Sequence, residues 1–218
     1  MVDFKYQAQL VANFYREAFP ISELPYSNRN LIKVIKLQVA MLACCDVYQS
    51  LSTVSSEYKT LLLDLASTIK YSIVSLGMNN QLSMASSSRA LLDSLIRIMY
   101  YSFTKDSLAE VQNISFRNSK DFLSGNVTVN QIHGHKIYSL YSKYSNVVHG
   151  STGFRDFSFV DPHRFFSSHP ISISGYLADY QVILDFIASG IPRLLNISDS
   201  SYTIAQRATM NGVLGLIR

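Results

Sequence analysis

A chain of 218 residues can bury one substantial core without help from metals or disulfides, so residues 1–218 are expected to form one domain. The apolar fraction is 48% and the charged fraction only 16%, which argues against a densely charged monomer. With fourteen Tyr and twelve Phe, it argues instead for a homo-oligomer or a face that binds a partner protein. The formal charge of +4 suits an anionic ligand such as RNA or a nucleotide, but Lys and Arg are spread along the chain, which excludes a polybasic nucleic-acid arm.

Residues 3 to 19 read as an amphipathic helix that ends before Pro20 and Pro25, so residues 1–27 form an N-terminal helix and its connector. Its first residues lack the basic-then-apolar layout of a signal peptide. Asn28 is placed to cap a second helix running from Arg29 to Leu51, with Leu31, Val34, Ile35 and Leu42 at helical spacing. Within it, Leu31 to Cys45 is the most apolar stretch, yet it carries Lys33 and Lys36 and is too short to span a bilayer, so no membrane segment is expected. Cys44 and Cys45 are adjacent and cannot close a useful loop, which fits a reducing cytoplasm.

Ser55 or Ser56 begins a third helix that stops around Gly77. The fourth runs from Gln81 to Phe103. Leu91, Leu92, Leu95, Ile96, Ile98 and Met99 share one arc of its wheel, and Arg89, Asp93 and Arg97 align on another side. Between Lys105 and Asn130 the pattern weakens to a short helix over Phe116 to Leu123 and a turn at Ser124-Gly125-Asn126. Gln131 to His149 is helical again. A long loop at about 150–175 follows, with FRDFSFV as a short-strand candidate. A helix from near Gly175 then kinks at Gly190-Ile191-Pro192, and residues 199–218 form a C-terminal helical tail. The fold class is all-α, a bundle of about six or seven helices.

All five histidines, His133, His135, His149, His163 and His169, lie between residues 133 and 169. His133 and His135 could offer two imidazoles to one ion, but a single intervening residue is not the one-face helical spacing of a ligand pair, and no cysteine or carboxylate pair joins them. No metal and no cofactor are therefore expected. His149 sits at the end of the predicted 131–149 helix. With Ile137 at zero on the wheel, Leu140, Tyr141, Tyr144, Val147 and Val148 share the buried face, and Tyr138, Ser142, Ser145 and His149 form a polar stripe beside it. Gly150 suits the left-handed position after the helix, which leaves His149 in the last turn. There it either caps stray carbonyls or works as a general acid or base on a phosphodiester, with Ser145 at i−4 as its hydrogen-bond partner. A Ser-His nucleophile pair is less attractive, because a helical hydroxyl lacks the glycine elbow and oxyanion hole.

Two segments carry a family resemblance: SSSRALLDSLIRIMYY and, further on, YSKYSNVVHGS. Together they resemble the HEPN-like helical proteins of bacteria and archaea, in particular branches with an Arg-x-x-Leu-Glu helix and a Ser-x-x-Val-His-Gly motif. The resemblance spans residues 60 to 195 in layout. It implies a helical bundle that often dimerises and, in many members, a metal-independent ribonuclease of toxin, phage-defence or CRISPR-linked systems. Carried over to this chain, it implies His149 as the proton-moving group and Asn146 as the polar residue of the motif. Arg89 and Asp93 become ligand-binding residues facing the His-Gly turn.

This chain departs from the pattern at the motif arginine. Five residues before His149 stands Tyr144, and six before stands Lys143, about 120° away on the wheel. Lys143 could supply the charge but not the bidentate fork of arginine. Arg164-Phe-Phe-Ser-Ser-His169 has the literal spacing of the ribonuclease motif, but Pro162 and Pro170 bracket it. Two functions follow as expectations. One is RNA or nucleotide binding, with or without ribonuclease activity, through His149, Lys143, Ser145 and Asn146 as catalytic residues. The other is a non-catalytic helical partner in a defence or mobile-element cassette.

Overall fold

The computed structural model describes residues 2–20, 22, 24, 28–149 and 171–217. Among these the chain forms ten helices and no strand. They are α1 (Phe4–Ala18), α2 (Arg29–Ser50), α3 (Ser56–Gly77), α4 (Gln81–Thr104), α5 (Leu108–Asn113), α6 (Phe116–Ser124), α7 (Val127–Gln131), α8 (Gly134–Val148), α9 and α10. Helix α9 begins as Ile173–Asp185, passes through a π-helical turn at Phe186–Gly190 and continues as Ile191–Leu194; α10 is Ile204–Ile217, preceded by a 3-10 turn at Asp199–Ser201.

Polar caps set the boundaries. Asp3 accepts hydrogen bonds from the backbone of Lys5 and Tyr6, Asn28 from Asn30, and Asn80 from Ser83. Each satisfies donors that the first helical turn leaves unpaired. The region Lys105–Asn130, expected to hold one short helix, holds three. Ser107 with Glu110 makes a reciprocal capping box on α5, Ser115 caps α6, and Asn126 caps α7. Closely spaced caps break this stretch into short helices and raise the number above six or seven. The kink expected near Pro192 is the π-helical turn just before it, where the missing N–H of proline interrupts the regular ladder.

The core lies between α2, α3, α4 and α9, where Leu31, Ile35, Leu62, Leu65, Leu91, Leu95, Ile183 and Leu184 are fully buried. Helices α3 and α4, α4 and α8, α2 and α3, and α2 and α9 are the main packing partners. Buried polar groups tie the layers together. Tyr48 donates to the Ile187 carbonyl at 2.9 Å, Gln38 donates to Ser72 at 3.1 Å, and the hydroxyls of Ser88 and Tyr180 meet at 3.1 Å. Helix α1 closes on α2 and on the end of α3, where a side chain in place of Gly77 would meet the rings of Tyr15 and Phe19 at 2.7 Å. Cys44 and Cys45 are free and buried, and burial pushes the Cys44 thiol up to about 12. Among the described residues no helix is long and apolar enough to cross a membrane.

Candidate functional site

Helices α4 and α8 position most of the predicted side chains. Their contacts fix an antiparallel pairing: at the start of α8 the Gly134 backbone lies against Met99, near the end of α4, and Tyr141, midway along α8, meets Arg89. A side chain at position 134 would also meet Val129 of α7 at 2.6 Å, so only glycine lets α7 turn into α8 at this spacing. His133, just before it, adopts a left-handed φ of 59°, and its ring lies 6.0 Å from that of His135, edge to face. Among the described residues no group of three or more His, Cys, Asp or Glu side chains is placed to hold a metal ion.

His149 forms the C-cap of α8; its backbone N–H bonds the Ser145 carbonyl at 2.9 Å, and its side chain is exposed. Ser145 is half-buried and Asn146 is exposed. The helix end anticipated from the sequence is thus present, with the imidazole on the outside. Gly150, the short-strand candidate FRDFSFV, His163, His169 and the Arg164–His169 spacing lie outside the described residues. Of the expected polar stripe, Ser142 and Ser145 are half-buried, but Tyr138 is buried. The wheel cannot anticipate that α6 packs there, and Phe116 of that helix brings its ring 6.0 Å from Tyr138.

Lys143 does not stand beside the histidine as a spare cation. Its Nζ pairs with Asp179 Oδ2 of α9 at 2.5 Å, and the same oxygen accepts the Tyr144 hydroxyl. Tyr144 also stacks on Tyr176, ring centroids 5.6 Å apart and nearly parallel. Burial, then Tyr176 and the bond to Asp179, push the Tyr144 hydroxyl well above the usual tyrosine range. These groups line a small cleft of about 190 Å³ between α8 and α9. Asp179 and Tyr176 were not singled out from the sequence. They lie more than thirty residues away on a helix whose apolar periodicity gave no cue to a buried carboxylate.

Arg89 and Asp93 sit on α4 opposite the middle of α8. The Arg89 Nε donates to the Tyr141 hydroxyl at 3.2 Å, eight residues before His149, which at helical rise is about 12 Å along the axis. The structure therefore does not bring them to the histidine. Nor do they pair with each other: Asp93 binds Arg97 at 2.7 Å. Burial raises the Asp93 carboxyl above its ordinary value, against the lowering effect of Arg97 and Arg89. Arg97 was visible at i+4 from Asp93 and i+8 from Arg89, and that repeat was the available signal for a three-charge row. What the sequence does not reveal is the opposite wall, where Phe116 stacks on Tyr141 with centroids 3.9 Å apart.

The predicted residues thus divide among three places: the exposed end of α8 with His149, Ser145 and Asn146, the α8–α9 cleft with Lys143, and a polar hollow midway along the α4–α8 contact with Arg89 and Asp93. Comparison of the chain with protein-family models, with curated proteins and with solved structures gives no match.

Proposed function

We propose that this chain is a HEPN-like homodimer that binds RNA or nucleotides in a toxin or phage-defence setting, and that it binds without cleaving. The observation that carries the reading is the exposed imidazole of His149 at the outer end of α8, open to a polyanionic strand. Two facts favour binding over cleavage. The arginine of the resembling motif is replaced at that spacing by Tyr144, and the nearby cation Lys143 is held by Asp179. A cation already matched by a carboxylate offers little to a phosphate in a transition state.

Incubating labelled total RNA with the wild-type protein and with His149→Ala tests this. Retention of RNA by the wild type, weaker retention by the variant and intact RNA in both are the expected results. Wild-type cleavage that the variant lacks would restore the ribonuclease reading, and no retention at all would remove the nucleic-acid reading altogether.

A second reading, a non-catalytic interaction protein of a defence or mobile-element cassette, is favoured by α1. Tyr6, Leu10 and Phe14 repeat every four residues on its outer face and are 59%, 45% and 49% exposed. An apolar stripe left in water along a helix suits a protein partner better than a nucleic acid. A Leu10→Lys variant that elutes as a smaller species than the wild type in size-exclusion chromatography is the expected sign that the stripe is an interface.

A further inference from the structure

Midway along the α4–α8 contact, a cavity of about 360 Å³ is walled by Arg89, Asp93 and Arg97 on one side and by Ile114, Phe116 and Tyr141 on the other. Its hydrogen-bonding capacity is unbalanced. Among the described residues Asp93 is the one carboxylate in the wall, and its Oδ2 is occupied by Arg97. Arg89 spends a single donor, the Nε–H, on a neutral acceptor, the Tyr141 hydroxyl, while its guanidinium carbon lies 5.4 Å from the Tyr141 ring centroid. Its two amino groups, which carry four of the five N–H donors of a guanidinium, have no hydrogen-bond partner among the described residues. The Arg97 Nε–H is buried and also without a partner.

Two guanidiniums against one carboxylate leave one positive charge in a concave, partly aromatic hollow, where solvent screens it less than at an open surface. A planar carboxylate ligand would satisfy one fork and leave the other idle. A tetrahedral phosphate presents oxygens in several directions and matches two arginines that approach from positions two helical turns apart. The hollow exceeds the volume of a phosphate alone, and Phe116 stacked on Tyr141 supplies an apolar wall for whatever the phosphate is attached to.

We propose that this hollow binds a phosphate monoester, with Arg89 and Arg97 as the clamp and Asp93 as the carboxylate with which the ligand competes for Arg97. The inference deepens the nucleotide-binding reading above and rests on it for the identity of the esterified group. It makes no use of His149.

Calorimetric titration with adenosine 5′-monophosphate, inorganic phosphate and adenosine tests it. Saturable binding of the monophosphate, competition by inorganic phosphate and no binding of adenosine are the expected results. Arg89→Met and Arg97→Met should each weaken monophosphate binding by at least about tenfold, since each removes a charge-assisted contact. Asp93→Asn removes the one competing carboxylate, so it should tighten binding by about threefold or more. That gain cannot be imitated by a variant that merely fails to fold. The inference is overturned if neither phosphate compound binds, if adenosine binds as well as its monophosphate, or if the three variants leave affinity unchanged. Monophosphate binding without RNA retention would sink the RNA reading alone. RNA retention without phosphate binding would sink this inference alone.

Discussion

Helix α8 has a cationic side chain at its contact with α9 and another at its contact with α4, and the two places are built in opposite ways. Near its C-terminal end the charge of Lys143 is matched by Asp179, and that carboxylate also takes the hydroxyl of the buried Tyr144. Two residues earlier, on the face turned to α4, Arg89 meets the neutral hydroxyl of Tyr141, and Asp93 in the same hollow is committed to Arg97. The first place has its cation matched by a carboxylate, and that carboxylate joins α8 to α9 through the buried Tyr144 hydroxyl. The second keeps donors in reserve, which is how a ligand site differs from a structural clamp. Proximity to the most conspicuous histidine was therefore a poor guide to where positive charge is available.

The sharpest way to break this comparison is to remove Asp179. Asp179→Ala leaves the Tyr144 hydroxyl buried without an acceptor, and the loss should be about 3 kcal/mol of stability in urea denaturation. A loss below about 1 kcal/mol would mean that α8 and α9 do not depend on this carboxylate and that the clamp reading is wrong.

Tyr144→Phe should cost less, about 1.5 kcal/mol, because Asp179 keeps its pairing with Lys143 and no buried donor is left without an acceptor. It carries a pH signature as well. The folded Tyr144 hydroxyl has its pKa raised above the unfolded value, mainly by burial. Its contribution to stability is therefore present below the ordinary tyrosine value of about 10 and lost as pH rises beyond it. Tyr48 and Tyr176 are raised in the same direction, so the wild type should lose stability steeply on the alkaline side. Melting temperatures recorded from about pH 9 upward should fall less steeply in Tyr144→Phe than in the wild type. Parallel curves would show that Tyr144 titrates normally and is not sealed by the α8–α9 contact.

At the second place the corresponding change is smaller. Tyr141→Phe removes the hydroxyl that accepts from Arg89 but keeps the ring on which Phe116 stacks. Arg89 is only half-buried and can turn to water, so the expected cost is about 0.5 kcal/mol by urea denaturation. A cost equal to that of Tyr144→Phe would erase the distinction between a reserve of donors and a clamp.

Much of the fold was legible because α-helical periodicity and capping are local. Asn28 caps α2 as its position before the apolar run suggests, and the breaks at Gly77 and before Pro192 fall where glycine and proline put them. The short helices α5 to α7 were less legible, because pieces of five to nine residues hold too few turns to show a period. The site was legible by residue type more than by arrangement. The exposure of His149 follows from its wheel position and the helix end. The capture of Lys143 by Asp179 and the stacking of Phe116 on Tyr141 are tertiary pairings between segments far apart in the chain, and no spacing within one helix encodes them. Tyr138 shows the same limit, since a tyrosine on the polar side of an amphipathic wheel is buried once a second helix lies across that side.

The smallest effect tests which partner of Asp179 matters. The Lys143 side chain is 51% exposed, so solvent screens its pairing and the entropy of fixing a long chain offsets part of the attraction. Tyr144 is buried beside it and has no such alternative in water. Lys143→Met should therefore change stability by less than about 0.5 kcal/mol, even though it removes the more conspicuous of the two contacts. Measured alongside Asp179→Ala in the same urea series, the ratio of the two losses states how the carboxylate divides its work. If Lys143→Met costs as much as Asp179→Ala, the ion pair is what joins α8 to α9, and the tyrosine hydroxyl is only its neighbour.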